Sequence, residues 1–278
     1  MNSNKSSASE QFSPLFIAGC AALMYVETCK VGNYAIDRPA LAAVFIGALL
    51  AYSVSKLRIH FHFGSGNPSL VTGPKHHLIT AVICAASLFP LATFLEFSQA
   101  LWLTAAAACS FMYMIPVSVQ QSKIGSWRSI FLLKNIMLSL VWTIATVMVP
   151  AEATFGAMST QPLLFIVIRR FLFIYCLATL YDIPDTSDDK QGNVKTVPAI
   201  FGKKSALVLA AGALLVFSIF TLADSYIPAL TTLALLLSAA FAGCIMFIKN
   251  PSRYRDSYKL VVDSAMALQA LLVLLASA

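Results

Sequence analysis

Residues 204–223 read KSALVLAAGALLVFSIFTLA, and no charged side chain follows the first position. A helix that crosses a bilayer needs roughly 20 mostly apolar residues, and this segment has that length and composition. The rest of the chain has the same character, since 59% of its 278 residues are hydrophobic and only 11% are charged. A soluble domain has about 25% charged residues. Together with the mean hydropathy of +0.79, this composition predicts an integral membrane protein.

Eight further apolar stretches are separated by short polar loops. They predict an all-α, polytopic membrane helix bundle of about nine transmembrane helices, at 14–31, 39–57, 76–95, 99–118, 130–150, 161–182, 204–223, 227–248 and 257–277. The second helix has a clear start, because Asp37 offers a capping oxygen and Pro39 suits a first turn. Residues 1–13 are polar and low in complexity, so we predict a short disordered cytosolic tail before a single transmembrane domain over 14–278.

The positive charges are distributed unevenly between the two sets of alternating loops. Of the nineteen Lys and Arg residues, fourteen fall in one set, two in the other and three within apolar segments. Positive residues accumulate in cytoplasmic loops. We therefore predict a cytoplasmic N-terminus and a C-terminus on the opposite side of the membrane. The net charge of +7 follows this topology, so the expected partner is the lipid bilayer and not a nucleic acid.

The richest polar segment, residues 181–202, reads YDIPDTSDDKQGNVKTVPAIFG. Asp182, Asp185 and Asp189 have the spacing i, i+3, i+7, which places three carboxylates on one face if the segment is helical. Pro184 interrupts a regular helix, so this single face depends on how the chain passes the proline.

Three carboxylates at the end of an apolar helix repel one another unless a cation holds them together. Mg²⁺ suits such a site, because it prefers a few carboxylates completed by phosphate oxygens and water. Lys190 and Lys195 lie close by in the sequence and are suited to neutralise a diphosphate. The alternative is an acidic loop that only solvates the end of a helix.

The run DIPDTSDD, followed by G-x-x-K-T-x-P and FGKK, resembles the second aspartate motif of the UbiA superfamily of intramembrane prenyltransferases. The stretches RRFLFIYCLATLYDIPD and, at 126–150, SWRSIFLLKNIMLSLVWTIATVMVP also resemble a branch of this superfamily. The motif follows the sixth of nine predicted helices, which is its place in the family. The resemblance covers helices five to seven through these motifs and the whole chain through the number of helices.

The resemblance implies an all-helical bundle whose cavity opens toward the cytoplasm or into the lipid. Such proteins bind an isoprenyl diphosphate through Mg²⁺ between two acidic motifs and transfer the prenyl group to an acceptor, in isoprenoid biosynthesis. Asp182, Asp185 and Asp189 would be the catalytic and metal-binding residues, and Lys195 would contact the diphosphate. Metals and basic side chains suit this chemistry because they stabilise the negative charge of the departing diphosphate.

The sequence departs from the family at the first motif, N-D-x-x-D, which ends the second helix. Residues 51–58 read AYSVSKLR and contain no carboxylate. Some members of the related branch read Y-N-x-D-R here, and the present stretch looks like a weakened form of that pattern. Ser53 and Ser55 offer hydroxyls, and Lys56 and Arg58 offer charge, so these four side chains are candidates for binding the substrate.

The histidines form a second possible metal site. All four fall in one predicted cytosolic loop, as His60, His62, His76 and His77. Imidazoles suit Zn²⁺, but the spacing matches no known zinc pattern. A polar loop at the membrane interface is therefore the favoured interpretation of this segment.

Ionisable residues inside the apolar segments are functional candidates, because a charge at that depth is costly. Arg170 is separated from Asp182 by about 18 Å along a helix that rises ~1.5 Å per residue. We therefore expect Arg170 to line a cavity that holds the substrate or to pair with Asp263 or Glu27. Lys134 is expected to pair with Asp263. The spacing of Glu27 and Lys30 favours a local pair instead.

Three classes of function are compatible with the sequence, and the first two are favoured over the third. The leading hypothesis is a Mg²⁺-dependent enzyme acting on an isoprenyl diphosphate, either by transfer to an acceptor or, as a terpene cyclase, by internal cyclisation of the prenyl chain. The second is a catalytically silent homologue that binds a lipid or a partner protein, which the missing first-motif acids favour. A small-solute transporter fits only the number of helices.

Overall fold

The structure is a computed structural model that describes residues 7–59, 71–72, 75–114, 133–152, 160–191 and 194–277. The helices are α1 (Ser7–Gly32), α2 (Arg38–Lys56), α3 (Lys75–Leu91), α4 (Phe97–Met114), α5 (Leu133–Thr143), α6 (Val149–Glu152), α7 (Thr160–Tyr181), α8 (Thr186–Gln191), α9 (Val197–Ala223), α10 (Ala229–Ile245) and α11 (Arg255–Ala276). Three 3₁₀ turns (Ala92–Phe94, Ile183–Asp185 and Pro251–Tyr254), a π-helical turn (Ile144–Met148) and an antiparallel pair of two-residue strands, β1 (Arg58–Ile59) and β2 (Val71–Thr72), complete the described elements.

Each of the nine predicted spans corresponds to a helix within these described ranges, so the prediction of an all-α membrane bundle is confirmed. Seven helical segments are long and apolar enough to cross a membrane: Pro14–Gly32, Arg38–Lys56, Lys75–Phe94, Leu133–Glu152, Pro162–Gln191, Val197–Ala223 and Pro251–Ala276. The segments Phe97–Met112 and Ala229–Ile245 are apolar but shorter. The helix α1 begins at Ser7, within the segment predicted to be a tail, while residues 1–6 lie outside the described ranges.

Two hydrophobic clusters hold the bundle together, and α1 contributes to both. The larger cluster joins α1 to α7, α9, α10 and α11, and the smaller joins α1 to α2 and α6. The larger cluster is rich in small side chains, and five of its alanines are fully buried: Ala206, Ala210, Ala242, Ala265 and Ala270. Small residues let helices approach closely within a membrane, where packing replaces the hydrophobic effect as the source of association.

The start of α2 follows the predicted capping pattern. The carboxylate of Asp37 accepts a hydrogen bond from the backbone amide of Ala40 at 3.4 Å, and Pro39 lies in the first turn. The other oxygen of Asp37 accepts from the side-chain amide of Gln99 at 2.9 Å, which ties α2 to α4. The indole of Trp102 donates to Glu152 at 2.7 Å and joins α4 to α6. These polar contacts fix one end of the bundle.

Gly202 breaks the regular geometry near the start of α9. Its φ is +83°, so the turn at residues 197–201 is separated by a kink from the long apolar part of the helix. A Cβ atom at this position would meet nothing within 4 Å. The requirement for glycine is therefore conformational, since other residues adopt this φ only with strain. The predicted span begins two residues later, at Lys204.

Candidate active site

The acidic segment lies at the end of the bundle where α2 and α7 end and α5 and α11 begin, called the motif end below. The chain leaves α7 at Tyr181, passes Asp182 and continues through the 3₁₀ turn Ile183–Asp185 into α8. Pro184 falls within that turn, where a missing backbone N–H is tolerated. The three predicted aspartates thus do not share one regular helix, and other parts of the chain must orient each carboxylate.

Asp182 is buried, with only 1% of its surface exposed. Its Oδ1 atom lies 2.5 Å from the ammonium of Lys134, in the first turn of α5, whereas its Oδ2 atom accepts no hydrogen bond from the described residues. The side-chain amide of Asn135 in α5 also donates to the hydroxyl of Thr179 in α7 at 3.3 Å. Two polar contacts therefore connect α5 with α7 and the residue that follows it. Lys134 therefore pairs with Asp182, and the expected pair with Asp263 was wrong.

Asp185 is held by two cations from the start of α11. Lys259 donates to its Oδ2 atom at 2.7 Å, and Nε of Arg255 lies 2.7 Å from its Oδ1 atom. Arg255 also donates to Asp188 at 2.6 Å. The Arg255 contacts are partly exposed and weakened by solvent, whereas Lys259 and Asp185 are largely buried. The pair from Lys259 is therefore the stronger link between α11 and the acidic segment.

Asp189 fixes the loop that follows α8. Its Oδ2 atom accepts a hydrogen bond from the hydroxyl of Thr196 at 3.0 Å, and its backbone carbonyl accepts from the amide of Val194 at 2.8 Å. Thr196 belongs to the G-x-x-K-T pattern that the sequence singled out. Lys190 and Lys195 are exposed, and the described part of the chain gives neither an ion pair. Both remain candidates for binding an anion.

The weakened first motif forms the last turn of α2. Ser53 is fully buried and its hydroxyl has no hydrogen-bond partner within the described ranges, while Ser55 donates to the carbonyl of Tyr52 at 2.7 Å. The ammonium of Lys56 lies 5.3 Å from the centroid of the Tyr52 ring. Arg58 lies in β1, with its Cα paired to that of Thr72. The motif end thus receives charge but no carboxylate from this stretch.

The histidine segment is only partly described. His60 and His62 lie outside the described residues, whereas the rings of His76 and His77 are 4.2 Å apart at the start of α3. Within the described ranges, no group of three His, Cys, Asp or Glu side chains is arranged to hold a metal ion. The zinc alternative therefore stays a prediction.

Arg170 lies toward the other end of α7, in a buried polar network. It donates to Glu27 at 2.9 Å, to Thr28 at 3.1 Å and to Gln269 at 3.2 Å. Arg169 lies 2.7 Å from the carboxylate of Asp224, at the end of α9. The expected pair of Arg170 with Glu27 is confirmed, and the local pair of Glu27 with Lys30 was wrong. A cavity of about 20 Å³, large enough for a water molecule, lies among these side chains.

Four residues contact the acidic segment without having been predicted to do so from the sequence: Lys134, Arg255, Lys259 and Thr196. Arg255 and Lys259 have the spacing i, i+4 at the start of the last helix, which places both side chains on one face. This spacing, near the same end of the bundle as the aspartates, was the sequence pattern from which their contacts with Asp185 could have been predicted. No local pattern links Lys134 to Asp182, because 48 residues separate them.

Comparisons with known proteins agree with this architecture. The model of the UbiA prenyltransferase family matches residues 68–271, a range that begins after the weakened first motif. A UbiA homologue from Aeropyrum pernix K1 is similar in structure, with a TM-score of 0.61, 15% identity, and coverage of 94% of this chain and 97% of the homologue. A digeranylgeranylglyceryl phosphate synthase is also similar, with a TM-score of 0.60 and 13% identity. The match covers 97% of this chain and 95% of the synthase.

A third similar structure is a UbiA homologue from Archaeoglobus fulgidus bound to DMAPP and Mg²⁺. It has a TM-score of 0.58 and 12% identity, and the match covers 94% of this chain and 98% of that one. Comparison with curated protein sequences gives no match. The three structures establish the fold, and the family model spans most of the sequence. The chain therefore belongs to the UbiA prenyltransferase family.

Proposed function

We propose that the chain is a multi-pass membrane prenyltransferase that binds an isoprenyl diphosphate with Mg²⁺ and transfers the prenyl group to an acceptor. The observation that carries the proposal is Asp182 of the second aspartate motif, a buried carboxylate with one oxygen that receives no hydrogen bond from the part of the chain that the structure describes. The Archaeoglobus fulgidus homologue bound to DMAPP and Mg²⁺ supports this class of substrate and cation.

Because the described residues form no group of three side chains arranged to hold a metal ion, a divalent cation at the motif end would need oxygens from the diphosphate as well as from the aspartates. Mg²⁺ prefers carboxylate oxygens together with phosphate oxygens and water. Asp182 offers a free oxygen, Asp189 lies one turn of α8 beyond the proline turn, and Asp185 is engaged by two cations. The three aspartates would therefore hold Mg²⁺ jointly with the diphosphate. When bound, the ion neutralises negative charge on the departing diphosphate.

Basic side chains around the aspartates would bind the diphosphate itself. Lys190 and Lys195 are exposed beside the acidic segment, and Lys56 and Arg58 end the weakened first motif. Ser53 and Ser55 offer hydroxyls in the same turn of α2. Each ammonium contributes a point charge and up to three hydrogen bonds to phosphate oxygens. These groups would hold the diphosphate so that its bond to the prenyl carbon breaks at the motif end.

Arg170 is left out of the proposed diphosphate site. Its guanidinium donates to three side chains at distances of 2.9 to 3.2 Å and is buried far along α7 from Asp182. A buried charge that is already paired gains little from a new partner, because breaking the old pair is costly. We assign Arg170 to the packing of α1, α7 and α11.

The motif end is proposed to face the cytoplasm, with the N-terminus on the same side and the C-terminus on the other. The excess of Lys and Arg in the loops on this side supports the orientation. An isoprenyl diphosphate would then enter with its charged head in the cytoplasm and its chain in the apolar bundle.

The absence of carboxylates from residues 51–58 favours two alternatives. One is a terpene cyclase, which uses the same ionisation of the diphosphate but closes the prenyl chain on itself. The other is a catalytically silent homologue, in which Lys134, Arg255 and Lys259 permanently neutralise the aspartates. The experiment below separates these alternatives from prenyl transfer.

The test is binding of geranyl, farnesyl and geranylgeranyl diphosphates to the detergent-purified protein, with and without Mg²⁺, followed by analysis of the products. We expect Mg²⁺-dependent binding by the wild type and its loss in Asp182→Asn. Asp256→Asn is the matched control, because Asp256 is an exposed aspartate at the start of α11. Release of diphosphate with a cyclic product would indicate a cyclase. If a folded wild-type protein binds none of the three, the chain is a silent homologue.

A further inference from the structure

The buried polar network around Arg170 lies in the interior of the bundle, away from the acidic segment. Arg170 donates to Glu27 at 2.9 Å and to Gln269 at 3.2 Å. The amide of Gln269 donates in turn to the hydroxyl of Ser238 at 3.1 Å. None of these four side chains is more than 4% exposed. The network thus joins α1, α7, α10 and α11 through polar groups that lie within the apolar core.

One donor of this network has no partner in the part of the chain that the structure describes. The Nε atom of Arg170 is buried and makes no hydrogen bond to these residues, although both terminal nitrogens of the same guanidinium do. A buried N–H group that stays unpaired costs free energy, and most such groups in proteins bond to another side chain or to ordered water. The unpaired donor therefore indicates a partner that the described side chains do not supply.

A cavity of about 20 Å³ lies against the same side chains. The polar part of its wall comes from Glu27, Thr28, Arg169, Arg170 and Gln269, and the rest of the wall is apolar. A water molecule needs roughly 10 to 15 Å³ of such volume and two to four polar partners. The cavity meets both requirements, and it is too small for a larger ligand.

The charges around the cavity favour a neutral occupant. Arg169 and Arg170 contribute two positive charges, and a cation would be repelled by both. Glu27 is paired with Arg170, and Asp224 lies 2.7 Å from Arg169, so two carboxylates balance the two guanidinium groups and oppose an anion. A carboxylate or amide oxygen that accepts one hydrogen bond can accept another, so Glu27 and Gln269 retain capacity for a donor.

We propose that this cavity binds one water molecule, which accepts a hydrogen bond from Nε of Arg170 and donates to the oxygens of Glu27 and Gln269. The water gives the guanidinium its missing partner and completes the contacts that hold α1, α7 and α11 together. The site is separate from the proposed function, because Arg170 lies about three helical turns from Asp182 along α7. Its loss is expected to lower stability and not the affinity for an isoprenyl diphosphate.

The first test is radiolytic labelling of the full chain in detergent, read by mass spectrometry. Hydroxyl radicals formed from a bound water molecule oxidise the side chains beside it, even when these are buried. Phe217 lines the cavity, so we expect it to be oxidised several times faster than Phe173. Phe173 is the matched control, because both rings are at most 1% exposed and their centroids are 5.6 Å apart, but Phe173 does not line the cavity.

The second test fills the cavity. Val31→Ile adds a methyl group to its wall, and Val208→Ile, at an exposed position of α9, is the control. We expect Val31→Ile to lower the melting temperature and to reduce the oxidation of Phe217 to that of Phe173. An apolar group that displaces an ordered water cannot reproduce its hydrogen bonds. Val208→Ile should change neither quantity.

Three results would overturn the inference while leaving the proposed function intact. One is equal oxidation of Phe217 and Phe173 in the folded wild type, a comparison that does not depend on any variant being folded. Another is a higher melting temperature for Val31→Ile, which would indicate a dry cavity that gains from being filled. The third is a fall in the wild-type melting temperature when gluconate replaces chloride, which would assign the cavity to an anion.

Discussion

The ammonium of Lys134 lies 2.5 Å from Oδ1 of Asp182, and this ion pair ties the first turn of α5 to the turn that follows α7. Both side chains are largely removed from solvent, with 14% and 2% of their surfaces exposed. A buried ion pair depends on both partners, because removal of one leaves an uncompensated charge. The pair therefore joins the start of α5 to the acidic segment through two side chains that depend on each other.

Lys134→Met is expected to destabilise the protein by about 3 kcal/mol, the typical cost of breaking a buried pair. The double variant Lys134→Met/Asp182→Asn should recover much of that loss, because it removes both charges. Thermal unfolding in detergent measures the two effects. Equal melting temperatures for the single and double variants would contradict the proposed coupling between these two side chains.

Asp182→Asn and Asp185→Asn should each abolish Mg²⁺-dependent binding of the isoprenyl diphosphate by the folded protein, although Asp182→Asn also removes the partner of Lys134 and is therefore compared at a temperature below its unfolding transition. The expected loss follows from the removal of charged ligands that an amide replaces poorly. Titration of the purified variants with Mg²⁺ and geranyl diphosphate measures it. Asp256→Asn serves as the control, and full activity in the first two variants would exclude the second motif as the site.

Ser53→Asn together with Ser55→Asp restores ligands at the end of α2. We expect the double variant to bind the isoprenyl diphosphate with a stronger dependence on Mg²⁺, because an amide oxygen and a carboxylate replace two hydroxyls. The control is Ser252→Asp, an added carboxylate at an exposed position before α11. Unchanged metal binding in the double variant would mean that this turn does not face the metal.

Glu27→Gln leaves the guanidinium of Arg170 without its carboxylate in the interior of the bundle. We expect a loss of about 3 kcal/mol in the free energy of unfolding. Binding of the isoprenyl diphosphate by the folded fraction should stay unchanged, because the network lies far from Asp182 along α7. A large loss of affinity for the isoprenyl diphosphate in a stable protein would instead indicate that Arg170 binds the substrate.

Reporter fusions test the proposed orientation. Green fluorescent protein at the N-terminus should fluoresce in a bacterial host, and alkaline phosphatase at the C-terminus should be active, since the first requires the cytoplasm and the second the opposite side. The reciprocal fusions are the controls. Activity of all four fusions, or the reverse pattern, would contradict the assignment based on positive charges.

The sequence predicted those features that depend on local composition. Nine apolar segments predicted the nine helical spans seen in the described ranges, and Asp37 with Pro39 predicted the start of α2, because spans and caps are encoded within a few residues. The motif placed Asp182, Asp185 and Asp189 at the end of α7. Their counter-ions escaped prediction, since Lys134 and Lys259 approach from helices 48 and 74 residues away along the chain. Such pairs depend on how helices pack, which apolar periodicity leaves open.

The adjacent arginines of α7 have a mechanical consequence. Side chains of neighbouring residues in a helix point about 100° apart. Arg169 forms an ion pair with Asp224 at the end of α9, while Arg170 donates hydrogen bonds to α1 and α11. Turning α7 about its own axis would lengthen both sets of contacts at once. These contacts therefore restrict the rotation of α7 about its axis. The direction in which Asp182 faces the bundle is thus set in part by residues about three helical turns away.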